Sequence, residues 1–197
     1  MEGHRMAPLR LFIAVDPPPP LRVAFAAASR ELAPALRGVR WVRPEALHLT
    51  LKFLGGTPAE RVAEIISVSR DALARLGEGH VAFAGLGVFP SLRRPSVLWA
   101  GVRGGCKWLT EAATRVDAAL ATLGFPVDTR PFRPHLTLGR IRRGTRVPAG
   151  RLEEAIAAFA EHRFGTAPVR FATLYASSLA KESASHKPLA KLPFTVA

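Results

Sequence analysis

From Leu9 to Val15 the chain runs Leu-Arg-Leu-Phe-Ile-Ala-Val, an apolar stretch of strand length. From Leu21 the apolar positions recur at helical spacing instead, with Leu21, Phe25, Ala28, Leu32 and Leu36 on one stripe. Asp16 and four prolines separate the two patterns, and Pro34 predicts an end or kink in the helix. A second stripe, Val62, Ile65, Ile66, Ser69, Leu73 and Leu76, follows Thr57-Pro58-Ala59-Glu60, which has the form of a capping box with proline at the first helical position. Gly77 and Gly79 close it. Strands are predicted over 81–88 and 96–102, parted by a turn that exposes Arg93 and Arg94. A helix over 107–123 turns Leu109, Ala112, Val116, Leu120 and Leu123 inward and ends at Gly124. A strand over 135–142, a helix over 149–162 and strands over 169–179 and 189–194 complete the pattern.

Helices and strands are mixed without the steady alternation of a doubly wound sheet, which predicts an α+β fold with largely antiparallel pairing. With 197 residues, 48% of them hydrophobic, the chain can bury a substantial core. No low-complexity linker divides it, so 1–197 reads as one domain, with residues 1–8 a loose N-terminal extension and Met6 nearer the functional start.

One phrase occurs twice in this pattern. His48-Leu49-Thr50-Leu51 returns as His135-Leu136-Thr137-Leu138, 87 residues further along. Both copies alternate polar and apolar residues with the period of a half-buried strand, so each roots two leucines in a core and presents a His/Thr pair on the other face. Imidazole, with an unperturbed pKa of about 6.5, holds or releases a proton near neutrality, and two facing imidazoles can divide the work of acid and base. A hydroxyl on the same face can donate to a phosphate oxygen. The spacing suits cleavage of a phosphodiester. After the first copy, Lys52-Phe53-Leu54-Gly55-Gly56 reads as strand running into a turn. After the second, strict alternation would point Arg140 into the core, but Gly139 can host a bulge that re-aims the guanidinium toward the His/Thr face as a phosphate clamp.

Charge and cysteine use narrow the setting. The formal net charge is +13, with arginine in excess of lysine, which suits a polyanionic partner; a GC-rich genome would raise surface arginine as well. The lone Cys106 cannot form an internal disulfide and, without a base partner, reads as structural. The 11–15 run is too short for the apolar core of a signal peptide, and no run approaches the ~20 apolar residues of a membrane span, so a cytoplasmic protein with no membrane partner is expected.

Over Trp41-Val42-Arg43-Pro44-Glu45-Ala46-Leu47-His48-Leu49-Thr50-Leu51-Lys52-Phe53-Leu54-Gly55 and Phe132-Arg133-Pro134-His135-Leu136-Thr137-Leu138-Gly139-Arg140, the chain resembles the 2H phosphoesterases. Among them it is most similar to the RNA 2′,3′-cyclic phosphodiesterase branch (ThpR or LigT-like), once named for 2′-5′ RNA ligase activity. The resemblance runs from the opening strand to Leu174-Tyr175-Ala176-Ser177-Ser178-Leu179. It implies two lobes, each a small, largely antiparallel sheet backed by helices, with one motif per lobe facing a central cleft. It also implies that His48 is the proton donor and His135 the proton acceptor in opening a terminal 2′,3′-cyclic phosphate to a 2′-phosphate, and that reversible joining of a 2′,3′-cyclic end to a 5′ hydroxyl is chemically reasonable at the same site. Thr50, Thr137 and Arg140 would hold the nonbridging oxygens. No metal or other cofactor is implied, and the expected partner is RNA with a 2′,3′-cyclic phosphate end, or a cyclic nucleotide, met by a monomer. The tail departs from the pattern: the family has a glycine and a tyrosine before its last strand, where this chain has His186 and Lys187.

Other residues carry weaker signals. Phe53, Trp41 and Tyr175 are candidates for base stacking or for lining the cleft, although an apolar residue after Leu51 is more often core, and Trp41 and Tyr175 can equally fill the lobe interface. His4, His80, His162 and His186 lack metal-ligand spacing. The alternative to an enzyme is a noncatalytic RNA-binding protein that uses the same basic cleft; the two histidines favour the enzyme, because binding needs positive charge and not titrating imidazoles.

Overall fold

The computed structural model describes residues 7–142, 144, 145, 147–179 and 184–195, so most of the expected N-terminal extension, with His4 and Met6, lies outside the described residues. In chain order the elements are β1 (Leu9–Val15), α1 (Pro19–Leu32), β2 (Val39–Trp41), β3 (Leu49–Thr57), α2 (Val62–Leu73), β4 (Gly79–Phe89), β5 (Val97–Gly104), α3 (Cys106–Ala121), β6 (His135–Ile141), α4 (Ala149–Ala158), β7 (Arg163–Val169), β8 (Phe171–Leu179) and β9 (Ala184–Pro193). The strands form two antiparallel sheets, ordered β3-β1-β8-β9 and β2-β6-β5-β4-β7. This is the expected α+β architecture with two sheet lobes. No helix among the described residues is long and apolar enough to cross a membrane.

The helical stripes explain which layer each helix joins. Phe25 on α1 is fully buried and meets Phe83 of β4 edge-on at 5.3 Å and Phe164 of β7 at 4.9 Å, which fastens α1 to the second sheet. Burial of such a side chain contributes about 2–3 kcal/mol. Helices α2 and α3 pack on each other and reach β9 and β3 of the first sheet, with Ile65, Leu73, Leu109, Val116 and Leu120 all fully buried. Core residues from both sheets join in one continuous cluster.

Several local expectations are revised. Helix α1 begins at Pro19, since proline is tolerated in a first turn whose N–H groups have no intrahelical acceptor, and it stops at Leu32, ahead of Pro34. The capping box does not form. Thr57 is the buried last residue of β3 and its hydroxyl donates to the Gly55 carbonyl at 3.3 Å, so the chain enters α2 through a 3-10 turn at Ala59–Arg61. Strands β2 and β7 have no counterpart in the hydrophobic pattern: β2 is only three residues long, and β7 holds Gly165 and Pro168. Both are edge strands, where a proline costs no ladder bond on the outer side. The chain changes lobes at Arg170, because Val169 pairs with Gly79 in the second sheet and Phe171 with Pro193 in the first.

Candidate active site

The two motifs lie on β3 and β6, one in each sheet, and these strands contact each other where the sheets adjoin. Each strand carries a bulge at the same offset. On β3, Thr50 pairs with Ala14 and Lys52 with Ile13, which leaves Leu51 as the extra residue. On β6, Thr137 pairs with Trp99 and Gly139 with Leu98, which leaves Leu138 extra. A bulge of this kind puts two successive residues on one face and reverses the phase beyond them. Leu51 and Lys52 are therefore both buried, as are Leu138 and Gly139, and the following residue, Phe53 or Arg140, returns to the His/Thr face. The expected re-aiming of Arg140 is what this register gives.

The same phase change corrects the core reading of Phe53, which is 67% exposed with its ring 6.0 Å from Phe12 on the site face. It also sends Lys52 inward, where the ammonium pairs with Asp117 of α3 and, at 3.0 Å, with Asp128, and donates to the Pro126 carbonyl at 2.8 Å. Trp41 does not line the cleft. It shares the face of Val39 on β2 and packs over Gly139, because its register position is one residue out of phase with Arg40, the partner of Arg140.

Both imidazoles are held in the same way. His48 Nδ1 lies 2.8 Å from the Ala46 carbonyl and His135 Nδ1 lies 2.7 Å from the Arg133 carbonyl, two residues upstream in each case. A carbonyl only accepts, so each Nδ1 carries the hydrogen and each Nε2 is left with its lone pair. Aromatic rings brace both. Phe12 lies 4.8 Å from His48 and stacks on Tyr175 at 5.2 Å, while His186 meets His48 edge-on at 5.1 Å. The Tyr175 hydroxyl donates to Asp16 at 2.7 Å, and burial followed by this bond pushes its pKa up, so it serves as a wall and not as an acid. In the other lobe Phe89 meets His135 edge-on at 4.8 Å and Trp99 lies at 6.3 Å. A Cβ on Gly87 would fall 2.2 Å from the Trp99 ring, so only glycine leaves the indole room there.

Electrostatics separate the two half-sites. Burial pushes His48 down to about 4; the Ala46 carbonyl opposes this, His186 adds to it, Asp16 opposes and Arg140 adds. Burial also lowers His135, again with its carbonyl partner opposing and Arg140 adding. Arg140 thus acts on both imidazoles, and among the described residues no carboxylate pairs with it. A guanidinium without a carboxylate partner among the described residues, near enough to lower both imidazoles, suits an anion. Among the described residues no group of three His, Cys, Asp or Glu side chains could hold a metal ion.

Of the residues expected at the site, His48 and Tyr175 both meet Phe12, Phe53 stands 6.0 Å from Phe12, and Arg140 acts on both His48 and His135. The register keeps Thr50 and Thr137 on the faces of their histidines, and Trp41 packs over Gly139 instead. Phe12, Asp16, Phe89 and Trp99 were not expected there. Only Phe12 carried a sequence signal, as the alternate position to Leu11 and Ile13 on β1.

Matched imidazoles on two sheet lobes, with a shared cation, define a site for phosphoester chemistry. Comparison with known proteins agrees. The model of the family described as LigT like Phosphoesterase matches residues 15–99 and 103–189, and the chain belongs to that family. It is 34% identical over 181 residues to the RNA 2′,3′-cyclic phosphodiesterase of Archaeoglobus fulgidus, covering 92% of this chain and 98% of that one. It is 35% identical to that of Thermus thermophilus over 146 residues, covering 67% and 68%. Among solved structures, the protein TT0787 of Thermus thermophilus superposes with a TM-score of 0.79 and 28% identity over 95% of this chain and 99% of that one. E. coli LigT complexed with 3′-AMP gives 0.76 and 28% over the same shares.

Proposed function

We propose that this protein is an RNA 2′,3′-cyclic phosphodiesterase that opens terminal cyclic phosphates to 2′-phosphates. The observation that carries the reading is the twin lock: two imidazoles held in the same tautomer by matching backbone carbonyls, with one guanidinium whose charge acts on both. Relatives named for this activity support the substrate class.

In the proposed reaction the Nε2 of His135 takes a proton from water, and the water oxygen bonds to phosphorus. The pentavalent state gathers negative charge on the nonbridging oxygens, where Arg140, Thr50 and Thr137 stabilise it. The bond to the 3′ oxygen then breaks and His48 supplies its proton, leaving a 3′ hydroxyl and a 2′-phosphate. An imidazole held at about 4 is nearly all neutral at pH 7, so the donor role depends on the bound phosphate, whose negative charge raises both imidazoles. With a 5′ hydroxyl in place of water, the same steps make a 2′-5′ linkage, and their reverse cleaves one. Phe53, 67% exposed, offers a face for the terminal base. The excess positive charge steers RNA to the cleft, and we place this monomer in the cytoplasm.

The test is product analysis of an RNA oligomer ending in a 2′,3′-cyclic phosphate, incubated in EDTA with wild type, His48→Ala and His135→Ala. Conversion to a 2′-phosphate by the wild type alone is expected. RNA that is bound and left unconverted by the wild type would overturn the reading.

A further inference from the structure

The mechanism above uses two histidines, yet a third lies against one of them. His186 on β9 faces Ser177 of β8. Its ring meets His48 at 5.1 Å and 88° and Phe12 at 5.0 Å and 81°, with Tyr175 at 6.3 Å. His48 is thus held on one edge by the Ala46 carbonyl, on a face by Phe12 and from the side by His186. A small hollow beside it is lined by Asp16, Glu45, Tyr175 and His186.

We propose that His186 is the positioning residue of the first half-site: it fixes His48 edge-on, and the two rings carry at most one proton charge between them. The proposal rests on the reading of His48 as a proton-transferring group. Two imidazolium ions at this separation repel each other, and neutral imidazole packs on an aromatic cluster where a charged one would lose its hydration. The groups around the pair reinforce this. Arg43, ahead of β3, and Arg140, from β6, push protons off it, while Asp16, at the end of β1, draws a proton to His48. The Tyr175 hydroxyl from β8 is committed to Asp16. Glu45 lines the hollow, and Lys187, beside His186 on β9, is exposed. Burial and then Arg43 lower His186 itself; the Ser185 backbone pulls the other way, although it does not close a hydrogen bond of good geometry to the buried Nδ1.

A merely structural ring and a proton-coupled one differ in titration. Removing the titratable group removes the like-charge penalty, so His48 takes up its proton at higher pH. Histidine NMR titrations of the free wild type, His186→Phe and His186→Ala, with His48→Phe to assign the signal, read this without any catalysis. We expect the His48 midpoint to rise by about half a pH unit or more in His186→Phe, and the wild-type pair to depart from single-site curves. With the cyclic-phosphate RNA, the limb of the kcat/KM profile set by His48 moves the same way. His186→Ala loses about tenfold in kcat with little change in KM, and His186→Phe restores most of it. A His48 midpoint unchanged in both variants, or an Ala defect that Phe does not repair, would overturn the proposal. If the wild type fails to turn over RNA, the phosphodiesterase reading fails and the titration still decides the pairing.

Discussion

The two motif strands have the same backbone and different surroundings. Each has histidine, threonine, a bulge at leucine, an inward residue and then an outward one, but the outward residue is Phe53 in the first lobe and Arg140 in the second. The inward residue is Lys52, paired with Asp117 and Asp128, in one and Gly139, pressed against Val39 and Trp41, in the other. The first imidazole is the more deeply buried and is driven to about 4; the second is lowered with fewer neighbours. One local geometry thus stands in two settings: an apolar wall that makes a proton costly to hold, and a cationic floor. On the proposed mechanism an acid and a base need unlike environments, and the unlike neighbours supply them.

The comparison can be broken from either side. His48→Ala and His135→Ala should each lower kcat/KM by ~10²-fold or more, measured on the cyclic-phosphate oligomer. Arg140→Gln should cost about tenfold or more in kcat/KM and reduce the slope of log affinity against log salt by about one. Because Arg140 lowers both imidazoles, its removal should also raise both titration midpoints, a shift that NMR would show in the two lobes together. Phe53→Ala should raise KM for a nucleoside cyclic phosphate by about tenfold, the scale of one stacked base, and leave the pH profile in place.

Smaller effects fall on stability. The folded pKa of His48 lies below its unfolded value, so the unfolded chain binds more protons between pH 6.5 and about 4. Its contribution is whole above pH 6.5 and is lost as pH falls toward 4, by up to about 3 kcal/mol. Denaturant titrations should therefore show a shallower acid loss in His48→Phe. Gly87→Ala should cost about 1–3 kcal/mol through collision with Trp99, with the kinetic defect confined to the His135 side.

Much of this was legible in the sequence. The repeated His-x-Thr alternation gave both strands and the identity of the face they share, and Gly139 gave the bulge that frees Arg140. The matching bulge at Leu51 carried no glycine to announce it, so Phe53 read as core although it stands in the open. Trp41 stayed open between cleft and interior because its phase is set by pairing with β6, which nothing local to β2 reports. Phe89 and Trp99 reach His135 only through cross-strand packing, and β7 was hidden by a glycine and a proline that an edge position tolerates.

The central claim is that the two half-sites perform different proton transfers. Its most direct test is a cyclic substrate with sulfur in place of the 3′ oxygen, assayed with His48→Ala and His135→Ala. A thiolate leaves without a proton, so the account predicts that His48→Ala recovers most of its rate on the sulfur substrate while His135→Ala stays impaired. Recovery by His135→Ala instead, or equal impairment of both, would contradict it.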